Sequence, residues 1–102
     1  MPTKKKLSEN LKSQVIEQLK TVIDPEIGID IYTLGLIYDI KIENKKVNIK
    51  MTFTTPACPY GPMLLEEIKV KMNELEINEV NIDLTFNPPW QPSSELRALL
   101  GV

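Results

Sequence analysis

The sequence predicts an α+β fold in which two main helices cover one face of a three-stranded sheet. Three segments alternate between apolar and polar residues with the period of a strand, and two segments repeat apolar residues at helical spacing. Because each strand segment has one apolar and one mostly polar face, the sheet should be covered on one side only. The order helix-strand-strand-helix-strand requires one hairpin and one crossover, which predicts a mixed sheet in a two-layer α-β-β-α-β domain.

The first helix is predicted over residues 9–22, where apolar residues recur at helical spacing. Ser8 is suited to cap its N-terminus. Asp24-Pro25 should end it, because the residue before a proline is driven out of the helical region. Residues 1–7 are predicted to form a flexible tail on a single domain that spans residues 1–102.

A loop over residues 24–34 comes next, and it is apolar enough that we expect it to lie against the core. The first two strands are predicted over residues 36–42 and 47–53, joined by a polar hairpin connection at residues 43–46. The side chains assigned to their covered face are Leu36, Tyr38, Ile40, Ile42, Val47, Ile49, Met51 and Phe53.

The second helix should begin at Gly61-Pro62, since proline suits the first helical turn. The third strand is predicted over residues 80–86, and a short C-terminal helix should follow, capped by Ser93 or Ser94 and ended by Gly101. The apolar side chains assigned to the covered faces of these elements are Leu64, Ile68, Met72, Leu75, Val80, Ile82, Leu84, Phe86, Leu96, Leu99 and Leu100.

The charge balance and the residue types exclude several classes of function. The net charge is −2, from 14 acidic and 12 basic residues, which argues against nucleic-acid binding because that needs a concentrated positive field. No apolar run approaches the ~20 residues that a membrane-spanning helix needs. One cysteine and no signal peptide predict a cytoplasmic protein.

The single cysteine, Cys58, lies between the second strand and the second helix. Backbone N–H groups at a helix N-terminus favour negative charge, so a thiol held there is biased toward the thiolate, which attacks electrophiles and binds metals. Pro56 and Pro59 should stiffen the loop that presents it. The alternative is that Cys58 is a small buried apolar residue, as free cysteines often are.

Other candidate site residues lie in the loops around the same end of the predicted sheet. Asp24 and Glu26 precede the first strand, and Cys58 follows the second, so the antiparallel hairpin places them at one end of the sheet. Thr54-Thr55 adjoin the cysteine, and Trp90 lies in a third, proline-rich loop.

Each of these residues also has a structural alternative. Asp24 could end the first helix together with Pro25. Thr54 and Thr55 could be ordinary strand residues, since β-branched side chains favour strands. Trp90 could anchor a loop or the core, given the large area that an indole buries.

Familiar catalytic and metal sites are excluded by the residue inventory. Without histidine there is no Cys–His pair, and one cysteine cannot build a Cys₄ or Cys₂His₂ zinc site within the chain. The Walker A and Gly-x-Gly-x-x-Gly sequences are absent, as is the Gly-x-x-Gly loop of KH RNA-binding domains, whose element order is similar. An iron–sulfur cluster takes about four ligands, so one thiol per chain implies shared ligation, which suits a transient carrier.

Four blocks of the sequence carry a resemblance to a known family. They are Asp24-Pro25-Glu26-x-Gly28-Ile29-Asp30-Ile31, Leu34-Gly35-Leu36-Ile37-Tyr38, Met51-Thr52-Phe53-Thr54-Thr55-Pro56-Ala57-Cys58-Pro59 and Asn87-Pro88-Pro89-Trp90. In this order they resemble the SufT-like metal–sulfur cluster assembly family, which includes the PaaD-like proteins and a eukaryotic cytosolic iron–sulfur assembly factor. The resemblance covers about residues 8–100.

The resemblance implies a compact α+β domain, similar to the C-terminal domain of NifU-type scaffolds, that matures or delivers iron–sulfur clusters. The family's reactive cysteine, acidic pair and threonines fall on Cys58, Asp24, Glu26, Thr54 and Thr55. The cysteine-rich tail of PaaD-like members is absent here. Since some relatives are fused to a P-loop ATPase, the implied partners are a separate P-loop ATPase carrier, scaffold proteins of a SUF-type system and client apoproteins.

Three functions remain open from the sequence. The first is a non-enzymatic iron–sulfur assembly factor that acts through Cys58 and holds a cluster transiently, with no tightly bound cofactor. The second is a metal-free adaptor that docks client proteins through the Trp90 loop and the Ile27–Leu34 segment. The third is a thiol enzyme with Glu26 or Asp24 as base, which is disfavoured because a carboxylate is a poor base for a thiol. A homodimer would bring two Cys58 thiols together, although nothing in the pattern requires one.

Overall fold

A computed structural model describes residues 4–55 and 57–100 of the chain, with the side chains of residues 10–55 and 57–99. The elements are α1 (Lys4–Leu19), β1 (Ile37–Glu43), β2 (Lys46–Met51), α2 (Gly61–Asn73), β3 (Glu79–Leu84) and α3 (Ser94–Leu100). Within this part of the chain the strands form one sheet of order β1-β2-β3, with β1 antiparallel and β3 parallel to β2. The predicted α+β class, element order and mixed sheet are therefore confirmed.

The core lies between one face of the sheet and the two longer helices. In α2 the buried residues Leu64, Ile68 and Met72 are spaced by one helical turn, as predicted. Leu75, predicted on the same stripe, follows the end of α2 and is half-buried against the core. Further core residues come from β2 (Val47, Ile49 and Met51), from the loop after it (Phe53), from α1 (Val15 and Leu19) and from the segment before β1 (Val22, Ile31, Leu34 and Leu36). The apolar loop before β1 thus lies against the core, as its composition predicts.

The first helix begins earlier than the sequence pattern indicates. It starts at Lys4, so Ser8 lies inside the helix and the prediction of Ser8 as its N-cap was wrong. The physical reason is that residues 4–19 contain no glycine or proline, and lysine and leucine are good helix formers. The helix includes residues 4–7 of the predicted tail, and residues 1–3 lie outside the described residues.

The first helix also ends before the Asp24-Pro25 step that was predicted to stop it. Thr21 donates its backbone N–H (3.0 Å) and its hydroxyl (2.6 Å) to the carbonyl oxygen of Gln18. These bonds tighten the last turn after Leu19 and satisfy a carbonyl that the helix leaves unpaired. Val22 follows the helix but stays fully buried.

A bulge interrupts the predicted alternation of β1. The pairing with β2 shifts between Ile37 and Asp39, which leaves Tyr38 as the extra residue. Leu36 and Ile40 are buried as predicted, whereas Tyr38 is only half-buried. The prediction that Tyr38 lies on the covered face, which assumed strict alternation, was therefore wrong.

Three residues that were predicted to be covered are exposed. Leu84 and Phe86 are 38% and 37% exposed: Leu84 is the last residue of β3, which is an edge strand, and Phe86 lies beyond the strand, which ends before the predicted residue 86. Leu99 is 76% exposed, because α3 contacts the core through Leu96, which is buried.

The predicted cap of α3 is confirmed at one of its two candidate residues. Ser93 Oγ accepts a hydrogen bond from the backbone N–H of Leu96 at 3.1 Å. The side chain of Leu100 and the predicted helix end at Gly101 lie outside the described residues. None of the helices in the described chain has the length and apolar composition needed to cross a bilayer.

Candidate functional site

Three segments meet at one end of the sheet, which we call the loop end. They comprise residues 20–36, residues 52–55 with 57–60, and residues 85–93. The backbone N–H of Thr52 donates to the carbonyl of Leu36 at 2.9 Å, and that of Thr85 donates to the carbonyl of Met51 at 2.9 Å. The predicted site residues all lie in these segments, as the hairpin topology requires.

Asp24 organises the turn between α1 and β1. It is 2% exposed, and its Oδ1 accepts a hydrogen bond from the backbone N–H of Glu26 at 2.9 Å. Its carbonyl oxygen accepts from the N–H of Gly28 at 2.7 Å, and Gly28 has a φ of 79°, which a residue without Cβ adopts readily. The buried carboxylate is thus engaged with its own turn. Of the two predicted acidic residues, Glu26 is the exposed one.

Cys58 lies on a hydrogen-bonded turn that leads into α2. Its backbone N–H donates to the carbonyl of Thr55 at 3.2 Å, and its own carbonyl accepts from Gly61 N–H at 3.3 Å. The Thr55 hydroxyl accepts from the N–H of Ala57 at 3.3 Å, so it is used within the loop, while Thr54 is half-buried. Cys58 is half-buried against the core, at the strand-to-helix junction that the sequence predicts.

Phe53 fills the space between the end of β2 and the first residue of α2. A Cβ atom added at Gly61 would lie 2.6 Å and 2.8 Å from Cε2 and Cζ of the Phe53 ring. The ring is 7% exposed and meets Phe86 edge-on, with ring centroids 6.3 Å apart. From the sequence, Gly61 was used only to mark the start of the helix. The glycine itself could have indicated a close contact, because most residue types can begin a helix.

Trp90 fastens the segment after β3 to the segment before β1. The indole N–H donates to the carbonyl of Leu34 at 2.6 Å, and the ring packs against the core. Nearby, the Tyr38 hydroxyl donates to the carbonyl of Pro88 at 2.8 Å. These contacts correspond to the anchoring alternative for Trp90, and a role in partner binding remains a prediction. The Tyr38 contact was not predicted, because its acceptor is a main-chain carbonyl and every residue carries one.

The loop end offers one thiol and no complete set of metal ligands. Among the described residues, no hydrogen bond joins Asp24 or Glu26 to the Cys58 loop. No group of three or more acidic or cysteine side chains in that part of the chain could hold a metal ion. A single thiolate therefore fits an iron–sulfur cluster only as one of about four ligands. Pro56, predicted to stiffen this loop, lies outside the described residues.

The fold and the site define a small α+β domain that presents a lone thiol at a strand-to-helix junction. The sequence model of the family described as iron-sulfur cluster assembly protein matches residues 12–87, and the chain belongs to this family.

Relatives and a solved structure agree with this assignment and confirm the SufT-like resemblance. The chain is 37% identical to the Fe-S protein maturation auxiliary factor YitW of Bacillus subtilis over 86 residues, 82% of this chain and 84% of that protein. It is 39% identical to the Fe-S protein maturation auxiliary factor SufT of Staphylococcus aureus over 71 residues, 68% of this chain and 81% of that protein. The crystal structure of a DUF59 domain from Bacillus anthracis matches with a TM-score of 0.82 and 34% identity, covering 94% of this chain and 96% of that one.

A more distant relative is a much longer protein. The chain is 30% identical over 88 residues to the iron-sulfur cluster carrier protein of Synechocystis. That match covers 85% of this chain but 25% of the carrier. A domain of this kind thus also occurs as part of a larger protein.

Proposed function

We propose that this chain is a non-enzymatic maturation factor for iron–sulfur proteins that acts through Cys58. The observation that carries the proposal is the thiol on an ordered turn at the loop end, in a chain with no other cysteine. The names of two relatives, which are Fe-S protein maturation auxiliary factors, support it.

The cluster is cargo in this proposal and is not tightly bound. Cys58 supplies one thiolate ligand, and a scaffold protein, a client apoprotein, a small thiol or a second copy of this chain supplies the others. Half-burial against the core covers part of the residue, while the rest stays accessible to a partner. Transfer is then an exchange of thiolate ligands, with no net oxidation or reduction of the protein.

The other predicted site residues take different parts in this proposal. Asp24 and Thr55 shape the two loops, since each accepts a hydrogen bond from the backbone of its own loop. Glu26 is exposed, so it is placed to contact a partner or the cargo directly. Thr54 is half-buried in the segment that leads to the cysteine, and its part in the site remains a prediction.

The proposed partners are iron–sulfur scaffold proteins, a P-loop ATPase carrier and client apoproteins, in the cytoplasm. The support is the longer relative from Synechocystis, which is named as an iron-sulfur cluster carrier and contains a region similar to this chain. If that region and the rest of the carrier work together in one chain, the same two parts can work together as separate proteins.

The test compares Cys58→Ser with the wild-type chain in cells that lack the endogenous gene. We expect the activity of an iron–sulfur client enzyme to fall to the level of the deletion strain, while the purified variant unfolds within about 0.5 kcal/mol of wild type. Val70→Ala is the matched control, because it changes an exposed apolar residue of α2 and leaves the thiol in place. Wild-type client activity with Cys58→Ser would contradict the proposal.

A metal-free adaptor is the second candidate, and one observation favours it. Tyr60 and Met63, close to Cys58 in the chain, are 39% and 49% exposed, so an apolar contact for a partner adjoins the cysteine loop. Anaerobic reconstitution with iron and sulfide, read by visible absorption and iron content per chain, separates the two functions. A cluster in wild type and none in Cys58→Ser supports the carrier. No cluster in either, together with loss of partner pull-down by Met63→Asp, supports the adaptor.

A further inference from the structure

We infer that Phe53 is a positioning residue for the Cys58 thiol and acts through Gly61. The inference concerns the placement of the thiol, and its cellular consequence rests on the proposed function of Cys58.

The first step is the contact between the Phe53 ring and α2. A Cβ at Gly61 would lie 2.6 Å from Cε2 and 2.8 Å from Cζ of Phe53, closer than the 3.0 Å below which real Cβ contacts essentially do not occur. Gly61 is buried and is the first residue of the helix. The start of α2 therefore rests directly on the ring, with no room for a methyl group between them.

The second step is that the ring has little freedom to move away. Phe53 is 7% exposed and contributes to the main hydrophobic core. The ring also meets Phe86 in an edge-to-face contact, with an interplanar angle of 62°. Since interiors are close-packed, pressure on the ring is transmitted to its neighbours.

The third step connects the helix start to the cysteine. Gly61 donates its backbone N–H to the carbonyl of Cys58 at 3.3 Å, and Cys58 in turn donates to Thr55. Two further residues separate the thiol from the helix start, so a shift of Gly61 is passed to the turn that holds Cys58. The ring therefore sets how the thiol is presented at the loop end.

The experiment introduces the missing methyl group and then makes room for it. Gly61→Ala should push the start of α2 off the ring and expose more of the thiol. Alkylation of Cys58 by iodoacetamide under native conditions should become several-fold faster at each pH of a series. In cells, client activity should fall several-fold, because the proposed function depends on how Cys58 is presented.

The double variant Gly61→Ala/Phe53→Leu supplies the decisive comparison. The smaller leucine leaves space for the alanine methyl, so the alkylation rate and the client activity should both return toward wild type. Ile68→Val is the matched control, because it weakens the buried face of α2 without touching the cysteine turn, and its alkylation rate should equal that of wild type.

Two results would overturn the inference: a wild-type alkylation rate in Gly61→Ala, or a double variant as altered as the single one. If Gly61→Ala does not fold, Phe53→Leu alone decides the matter, since its alkylation rate must change by more than that of Ile68→Val. Full client activity of Cys58→Ser would refute the proposed function but not the positioning role, which alkylation measures directly.

Discussion

The two ends of the sheet differ in how the chain turns. At the hairpin end, residues 44–45 and 74–78 form short connections, held together by the N–H of Asn78, which donates to the carbonyl of Lys45 at 2.8 Å. The connection between β1 and β2 is thus one residue shorter at each end than the predicted 43–46, because Glu43 and Lys46 pair in the sheet. Left-handed backbone there is taken by Asn44 and Glu76, with φ of 56° and 60°.

At the loop end, left-handed backbone is taken by glycine. Gly28 and Gly35 have φ of 79° and 80°, and they shape the long segment that precedes β1. This segment carries Asp24 and receives the hydrogen bond from Trp90, so its path is fixed by side chains as well as by backbone.

The two ends of the sheet therefore differ in the length of their connecting segments and in how those segments are held. The hairpin end joins its elements by the shortest route and tolerates a strained Glu76, whereas the loop end uses long segments and buried polar contacts to hold its residues. We therefore expect changes at the loop end to alter both stability and client maturation. Changes at the hairpin end should alter stability alone.

The largest expected effect is at Trp90. Trp90→Ala should lower the free energy of unfolding by about 2–4 kcal/mol, somewhat less than the ~3–5 kcal/mol of a fully buried aromatic residue, because the ring is half-buried. Urea denaturation measures this change.

A second variant separates the ring of Trp90 from its hydrogen bond. Trp90→Phe keeps most of the ring but leaves the carbonyl of Leu34 without its donor, so it should cost about 1–2 kcal/mol. If Trp90→Ala unfolded like wild type, the anchoring role would be refuted and the partner-binding role would gain support.

A smaller effect is expected at Asp24. Asp24→Ala removes the acceptor for the N–H of Glu26 inside a buried turn and should cost about 1–2 kcal/mol. Asp24→Asn keeps an oxygen acceptor, so it should retain most of the stability and the client activity. The measurements are thermal unfolding of the purified variants and client activity in cells. A stable Asp24→Asn variant without client activity would show instead that the carboxylate charge itself is needed.

Effects of similar or smaller size come from exchanging glycine between the two ends. Glu76→Gly should raise the free energy of unfolding by about 0.5–1 kcal/mol, because glycine takes the left-handed conformation without a Cβ penalty. Gly28→Ala should lower it by about 1–2 kcal/mol, and the cost is conformational because no atom lies within 4 Å of the added Cβ. Client activity should stay at the wild-type level for Glu76→Gly. A loss of activity in that variant would contradict the division between the two ends.

Hydrophobic periodicity predicted the elements and most of the core, but not where helices end or which edges stay open. The turn-spaced Leu64, Ile68 and Met72 are buried as predicted, because a helix presents such residues on one face. The exposure of Leu84 and Leu99 was not predictable, since period identifies the apolar face but not whether another element covers it. The end of α1 depended on a hydrogen bond from the Thr21 hydroxyl to the carbonyl of Gln18.

For the candidate site, too, the sequence predicted the location but not the role of each side chain. That the Asp24 and Cys58 loops share one end of the sheet followed from strand connectivity, because an antiparallel hairpin fixes which loops lie together. What each side chain does there did not follow. The indole of Trp90 and the hydroxyl of Tyr38 bind main-chain carbonyls, and every residue carries such an acceptor, so no residue type reveals the pairing.

By itself the sequence determined the α+β class, the element order, the single thiol at a strand-to-helix junction and the family. These properties depend on residue type and spacing along the chain. Three roles were decided only by the tertiary structure. Asp24 accepts a hydrogen bond within its own turn, Trp90 anchors the segment before β1, and Gly61 packs on the ring of Phe53. Such roles depend on which atoms come into contact in the folded chain, and the close packing of the interior determines those contacts.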